Sequence, residues 1–163
     1  MTRAVYPGTF DPPTLGHLDI VRRAAGVFDA LVVGVGNNPE KRPVLSMRER
    51  LNLVRSETRD IPNVEVRSFA GLAIDFACAE KASVLLRGVR TVSDFEYETQ
   101  MAGANRASSG IETVFMTPST EFEFVSGRFV KELVAMGGDV SRLVTPSVAD
   151  KLKRKLRGKR ARR

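Results

Sequence analysis

The sequence holds little of what metal and disulfide chemistry needs. Its 163 residues include one cysteine, Cys78, one histidine, His17, and no tryptophan. A single cysteine closes no internal disulfide and builds no cysteine zinc cluster. With only one histidine beside it, a dedicated transition-metal site is not expected either. Cys78 stands in the apolar stretch Phe76-Ala77-Cys78-Ala79, which predicts a buried structural thiol. No apolar run approaches the ~20 residues needed to span a bilayer. No long apolar segment follows Met1-Thr2-Arg3-Ala4-Val5, so the expectation is a cytoplasmic protein without a secretory leader. Three phosphate and hydrolase motifs are also missing. There is no Gly-Lys-Ser or Gly-Lys-Thr of a Walker A loop. Gly34-Val35-Gly36-Asn37-Asn38-Pro39 lacks the third glycine of a dinucleotide fingerprint, and no Gly-x-Ser-x-Gly elbow occurs.

The charge is lopsided. The net charge is +7, yet residues 151–163 hold nine of the 26 basic residues and no acidic one. Residues 1–150 therefore carry 17 basic against 19 acidic side chains and are nearly neutral. The length suits one domain with a proper core. The reading is a single domain over 1–150 and a basic tail over 151–163, solvated at its end. Nucleic-acid or anionic-membrane binding through the tail is the minority alternative.

Apolar runs alternate with helix-like periodic segments. Ala4-Val5-Tyr6, Ala30 to Gly36, Val64-Glu65-Val66, Ser83 to Leu86 and Thr113 to Met116 read as strands, several covered on both faces. Leu18, Val21, Ala25 and Phe28 recur at helical spacing. Ser46-Met47-Arg48-Glu49 and Ser93-Asp94-Phe95-Glu96 each read as a capping box opening a helix. Further helices are expected over 71–80, 126–136 and 147–156. Strand and helix in alternation predict an α/β fold, a Rossmann-like doubly wound sheet of five parallel strands with C-terminal helices. Ligands of such sheets bind outside the carboxyl ends of the strands. The loops to search are therefore 7–17, 36–43, 87–93 and 118–126.

The first of these reads Pro7-Gly8-Thr9-Phe10-Asp11-Pro12-Pro13-Thr14-Leu15-Gly16-His17, long for a strand-to-helix connection. Its glycines permit close backbone approach. His17 falls at the start of a helix, where the dipole and unpaired N–H groups suit an anion. Arg87-Gly88-Val89-Arg90 sets two guanidinium groups past a buried strand, and arginine matches phosphate oxygens. Asn38-Pro39-Glu40-Lys41-Arg42-Pro43 adds cations. Three such loops on one sheet edge would form a phosphate cleft.

Those residues carry a resemblance. Gly8-Thr9-Phe10-Asp11-Pro12 with Thr14-Leu15-Gly16-His17 resembles the signature of the T-x-G-H nucleotidyltransferase superfamily. Lys41, Arg87-Gly88-Val89-Arg90, Asp94-Phe95-Glu96-Tyr97-Glu98 and Gln100-Met101 narrow it to the bacterial phosphopantetheine adenylyltransferases. The resemblance runs from about Ala4 to Leu143. It implies transfer of AMP from ATP to 4′-phosphopantetheine, giving dephospho-coenzyme A and pyrophosphate, the penultimate step of coenzyme A synthesis. It also implies Mg²⁺ accompanying ATP, no protein metal site, and a homohexamer. Carried over residue by residue, Thr9, Lys41, Ala73 and Arg87 would line the phosphopantetheine site. Thr9, Phe10, His17, Gly88, Val89, Arg90, Glu98, Phe122, Glu123, Phe124, Val125, Ser126, Gly127 and Arg128 would line the ATP site.

Nucleotidyl transfer needs positioning and charge stabilisation more than covalent help. A phosphate is already nucleophilic at neutral pH, so direct in-line attack without a covalent intermediate is expected. His17 would then donate a hydrogen bond to the α-phosphate as charge builds. Lys41 and Arg87 would hold the acceptor phosphate, and Arg90 the ATP phosphates. One departure is Ser126-Gly127-Arg128, where the family shows a run of serines. The alternative function is a nucleotide-binding protein of the same fold, weakly active, whose basic tail binds nucleic acid.

Overall fold

Two faces of one sheet account for the strand sequences. The structure, a computed structural model, describes residues 1–37 and 42–160, with side chains to 156. The strands are β1 (Arg3–Gly8), β2 (Ala30–Asn37), β3 (Val64–Ala70), β4 (Val84–Gly88) and β5 (Glu112–Met116). They form one sheet in the order β3-β2-β1-β4-β5, and every pairing is parallel. Successive side chains of a strand point to opposite faces. Ala4 and Tyr6 of β1, Leu31, Val33 and Val35 of β2, and Leu86 of β4 enter one core. Val5, Val32 and Leu85, the residues between, enter another on the far face. A sheet covered on both sides needs apolar residues at consecutive positions, which is why these strands read as unbroken runs.

The helices are α1 (Leu15–Ala25), α2 (Met47–Thr58), α3 (Ala73–Ala79), α4 (Val92–Ser109), α5 (Gly127–Met136) and α6 (Pro146–Arg160). Ile20, Val21 and Ala24 of α1 with Val54 of α2 cover the first face, and Ala77 of α3 the second. A third cluster joins α5 and α6 to α2 through Val130, Val134, Val148, Leu152 and Leu53. Each fully buried valine or leucine contributes about 1.5–3 kcal/mol.

Three expectations need correcting. Cys78 is exposed. The seven-residue α3 buries Ala77, and the next residue points away from the sheet. Ser93 does not cap α4. Thr91 does, its hydroxyl accepting from the Asp94 N–H at 3.1 Å, while Ser93 Oγ lies 3.0 Å from the Thr91 hydroxyl. The two overlapping Ser/Thr-x-x-acid patterns offer the same hydrogen bond, and the chain uses the earlier one. β3 runs four residues beyond Val66, paired along its length with β2.

α6 crosses residue 150 without a break. Leu152 is fully buried, and Leu156 packs against the C-terminal cluster. Lys151 and Lys155 pair with Glu49 at 3.6 and 3.1 Å. Among the described residues no helix is long and apolar enough to cross a membrane.

Candidate active site

The strand order reverses at β1, which lies between β2 and β4, and a cleft of about 760 Å³ opens at the carboxyl ends there. Of the residues singled out from the sequence, it brings together Thr9, Phe10, His17, Ala73, Arg87, Gly88, Arg90, Glu98, Gly127 and Arg128. Val89 is buried behind the wall, its N–H donating to the Met116 carbonyl at 3.0 Å. Phe122, Glu123, Phe124, Val125 and Ser126 lie outside the lining. Lys41 lies outside the described residues.

His17 is the third residue of α1. Thr14 caps the helix, its hydroxyl accepting from the His17 N–H at 3.3 Å. In return His17 Nδ1 accepts the Thr14 backbone N–H at 3.0 Å. This reciprocal pattern is the capping box, with an imidazole where glutamate usually stands. It leaves Nδ1 without a proton, so Nε2 carries the hydrogen as a donor. Burial, and then the positive charge of Arg90, lower the His17 pKa to about 4. The ring is thus neutral at physiological pH. Phe10 packs edge-on against it at 5.1 Å and against Tyr6 at 5.7 Å. The Phe10 backbone sits at φ 51, a left-handed conformation that keeps its ring buried beneath the loop. The expected unpaired amides at the start of α1 are mostly taken. The Leu15 N–H donates to the Leu143 carbonyl, and the His17 N–H to Thr14. The helix therefore presents the His17 side chain, more than its backbone, to an anion.

Arg87 projects from the end of β4. Its Nε and one terminal nitrogen donate to both Glu98 oxygens, and the other donates to the Pro7 carbonyl at 3.1 Å. Glu98 of α4 thus presets the arginine fork, which favours a fixed docking geometry. Burial opposes the charge on Arg87, but the hydrogen bond and charge of Glu98 more than offset it, and its pKa is raised. Arg90 donates to the Val125 carbonyl at 3.0 Å and pairs with Asp94 at 3.5 Å. It therefore ties the 120–125 turn to the cleft, which is how Val125 enters the site without lining it.

The sequence reading missed the groups that hold the first loop. Arg50 of α2 is 1% exposed. Its guanidinium donates to the carbonyls of Thr9, Gly36 and Leu45 at 2.6, 2.8 and 3.2 Å. One buried cation so fastens the segment after β1 to the end of β2. Asp11 accepts the Val44 and Leu45 N–H groups at 3.0 and 2.8 Å and pairs with Lys131 of α5 at 2.8 Å. Arg50 sits in Met47-Arg48-Glu49-Arg50, where three charges in a row look like a solvated helix face. A short-range pattern carries no signal for either contact.

At the departure from the family pattern, Ser126 caps α5, accepting from the Phe129 N–H at 3.1 Å. Gly127 packs on the first loop, and a Cβ there would lie 3.1 Å from the Asp11 carbonyl oxygen. Arg128 is 88% exposed and turns along the helix to Glu132 at 2.9 Å. The cation that α5 holds beside the first loop is Lys131.

Among the described residues no group of three His, Cys, Asp or Glu side chains is placed to hold a metal ion. The cleft carboxylates are committed elsewhere: Asp11 to Lys131 and two amides, Asp94 to Arg90, Glu98 to Arg87.

Residues 5–133 match the cytidylyltransferase-like family. A phosphopantetheine adenylyltransferase of Cupriavidus taiwanensis is 53% identical over 157 residues, 96% of this chain and 98% of its own. One from Cupriavidus pinatubonensis is 55% identical over 149 residues, covering 91% and 92%. Among solved structures, one from Vibrio parahaemolyticus described as a nicotinate-nucleotide adenylyltransferase superposes with a TM-score of 0.66 at 17% identity, covering 92% of this chain and 91% of its own. A lipopolysaccharide core biosynthesis protein from Thermoplasma volcanium gives 0.54 at 21% identity, covering 73% and 97%. At these identities the two structures share the fold.

Proposed function

The chain belongs to the cytidylyltransferase-like family, among the phosphopantetheine adenylyltransferases, and from that premise we propose how its cleft transfers AMP from ATP to 4′-phosphopantetheine. The products are dephospho-coenzyme A and pyrophosphate. The observation that carries the reading is one cleft, at the reversal of strand order, lined by a neutral histidine donor and two arginines from the end of β4.

A phosphate oxygen of phosphopantetheine attacks the α-phosphorus of ATP in line. The bond from that phosphorus to the bridging oxygen breaks, and its electron pair leaves with pyrophosphate. His17 donates from Nε2 to an α-phosphate oxygen as negative charge accumulates. It needs no proton exchange, which suits an imidazole already neutral. Arg87, preset by Glu98, holds the acceptor phosphate; Lys41, outside the described residues, is assigned the same role from the sequence alone. Arg90 and the start of α5 face the nucleotide phosphates. Mg²⁺ arriving with ATP would supply charge neutralisation to the nucleotide, and the cleft carboxylates, already paired with Lys131, Arg90 and Arg87, fit a metal carried by its substrate. Ala73 and Arg87 also line an adjoining groove of about 180 Å³ with Leu72, Ile74 and Met101. That groove suits the apolar parts of the pantetheine arm, continuing from a phosphate at Arg87.

Assembly as a homohexamer in the cytoplasm completes the reading. α4 buries no residue within the chain, and it exposes Val92, Phe95, Tyr97 and Met101. Apolar surface of that kind supports burial against other copies. Sedimentation measures the stoichiometry. Pyrophosphate release from ATP or CTP with a panel of phosphate acceptors tests the reaction. The expected result is release with ATP, Mg²⁺ and phosphopantetheine together. No turnover with any acceptor would overturn it.

A further inference from the structure

We infer that Arg50 is a positioning residue for AMP transfer, one that holds the Thr9 carbonyl from beneath the first loop and so turns the Phe10 N–H into the cleft. The inference rests on the adenylyltransferase reading above. The Thr9–Phe10 peptide is trans. In a trans peptide the C=O and the N–H that follows it share one plane and point to opposite sides. Arg50 Nη1 donates to the Thr9 carbonyl at 2.6 Å. Thr9 and Phe10 line the cleft, and the buried Arg50 does not. The loop therefore lies between the guanidinium and the cleft, and the Phe10 N–H points away from Arg50. Among the described residues that N–H has no acceptor. A phosphate oxygen of the bound reactants supplies one.

The peptide does not keep that orientation unaided. Phe10 sits at φ 51, a conformation that persists in a bulky residue only where its surroundings over-determine it. From one side the Phe10 ring fills the space over Gly8, where an added Cβ would come within 2.8 Å of it. The same ring packs against Tyr6 and His17. From the other side Nη1 spans the Thr9 and Gly36 carbonyls at 2.6 and 2.8 Å, and Nε reaches Leu45 at 3.2 Å. One nitrogen thus sets the Thr9 carbonyl against the end of β2, which the sheet holds rigid. Lysine cannot do the same. Its ammonium ends a shorter side chain, lacks the planar fork and loses its charge more readily when buried.

The alternative is that Arg50 only stabilises the fold, and Arg50→Lys separates the two. Thr9–Phe10 is the only Thr-Phe step in the sequence. Labelling threonine carbonyl carbon and phenylalanine nitrogen therefore gives one NMR correlation that reads the Thr9 C=O and the Phe10 N–H together. In wild type, ATP with Mg²⁺ should move the Phe10 amide proton downfield. In Arg50→Lys the Thr9 carbonyl signal should move upfield and the response of Phe10 to ATP should shrink. At a temperature where thermal unfolding shows both proteins folded, kcat should fall by about 10- to 100-fold, as for a displaced catalytic geometry. That fall should carry most of the loss in kcat/KM. A variant that is less stable but keeps full kcat would overturn the inference. So would a fall in kcat with an unaltered Phe10 response. Should Arg50→Lys fail to fold, the wild-type titration still decides, since a Phe10 amide that ATP leaves unmoved sinks the idea and a downfield move supports it. Failure of the underlying reading shows separately, as wild-type protein whose Phe10 amide responds to ATP but which releases no pyrophosphate.

Discussion

His17 Nδ1 accepts the Thr14 backbone N–H at 3.0 Å, so the imidazole closes the same helix cap that orients it. The ring is held as the Nε2–H tautomer before any substrate arrives. His17→Ala should lower kcat by about 10²–10³ and leave ATP affinity nearly unchanged, as for loss of one transition-state donor. His17→Gln tests orientation, since its amide can complete the capping box but not also reach the α-phosphate. It should restore stability without restoring rate. A His17→Ala enzyme of undiminished kcat would remove the residue from the mechanism.

The lowered His17 pKa makes a separate prediction about pH. The folded value is about 4 against an ordinary 6.5, so between these the unfolded chain binds the extra proton. Stability is then complete above about pH 6.5 and falls as the pH drops toward 4, by at most ~3 kcal/mol from this group. Activity should show no inflection near 6.5 that depends on His17. Urea unfolding of wild type and His17→Gln at pH 4.5 and 7.5 measures the first effect. A pH slope equal in both proteins would count against it.

Arg50 should matter more to stability than its charged neighbourhood suggests. Arg50→Ala leaves the Thr9, Gly36 and Leu45 carbonyls without their donor, and leaves Lys131 as the cation beside the Asp11 carboxylate. A loss of about 3–5 kcal/mol is expected from breaking such a buried charged network. The urea midpoint should fall with the slope unchanged. A loss below 1 kcal/mol would show that water replaces the guanidinium.

What the sequence made legible follows from the range of each interaction. The five strands announce themselves because burial on both faces demands consecutive apolar residues such as Leu31-Val32-Val33. Ser46 announces α2 because its cap partner is three residues away, and the cleft follows from strand order. Arg50, Asp11 and Lys131 were not legible. Their partners lie 41, 34 and 120 residues distant, and only the folded chain brings them together. Cys78 misled because an apolar stretch says nothing about which side of a two-turn helix faces the sheet. The serine run was likewise unreadable at Gly127, where the constraint is the Asp11 carbonyl and not a ligand.

That contact carries its own prediction. Gly127→Ser restores a family hydroxyl but sets a Cβ 3.1 Å from a backbone oxygen. The loop holding that oxygen is pinned by Asp11 and Arg50 and cannot yield freely. Gly127→Ser and Gly127→Ala should each lose about 1–3 kcal/mol by overpacking. Thermal unfolding checks this. Equal or higher stability of Gly127→Ala would mean that the loop shifts without cost.

The basic end of the chain divides into two parts that truncation can separate. Leu152 is fully buried and Leu156 partly so, whereas residues 157–163 add five basic side chains and no large apolar one. Cutting after residue 150 removes a core leucine, worth about 2–5 kcal/mol even when only shortened to alanine. A protein ending there should be destabilised, and any lost activity would say nothing about charge. Cutting after residue 156 should leave the unfolding temperature and the rate of pyrophosphate release unchanged. If the tail also engages nucleic acid, this shorter cut should weaken binding to a mixed-sequence duplex and flatten its dependence on salt. Equal binding by both proteins at low salt would dismiss the nucleic-acid reading and leave 157–163 as a solvated charge cluster.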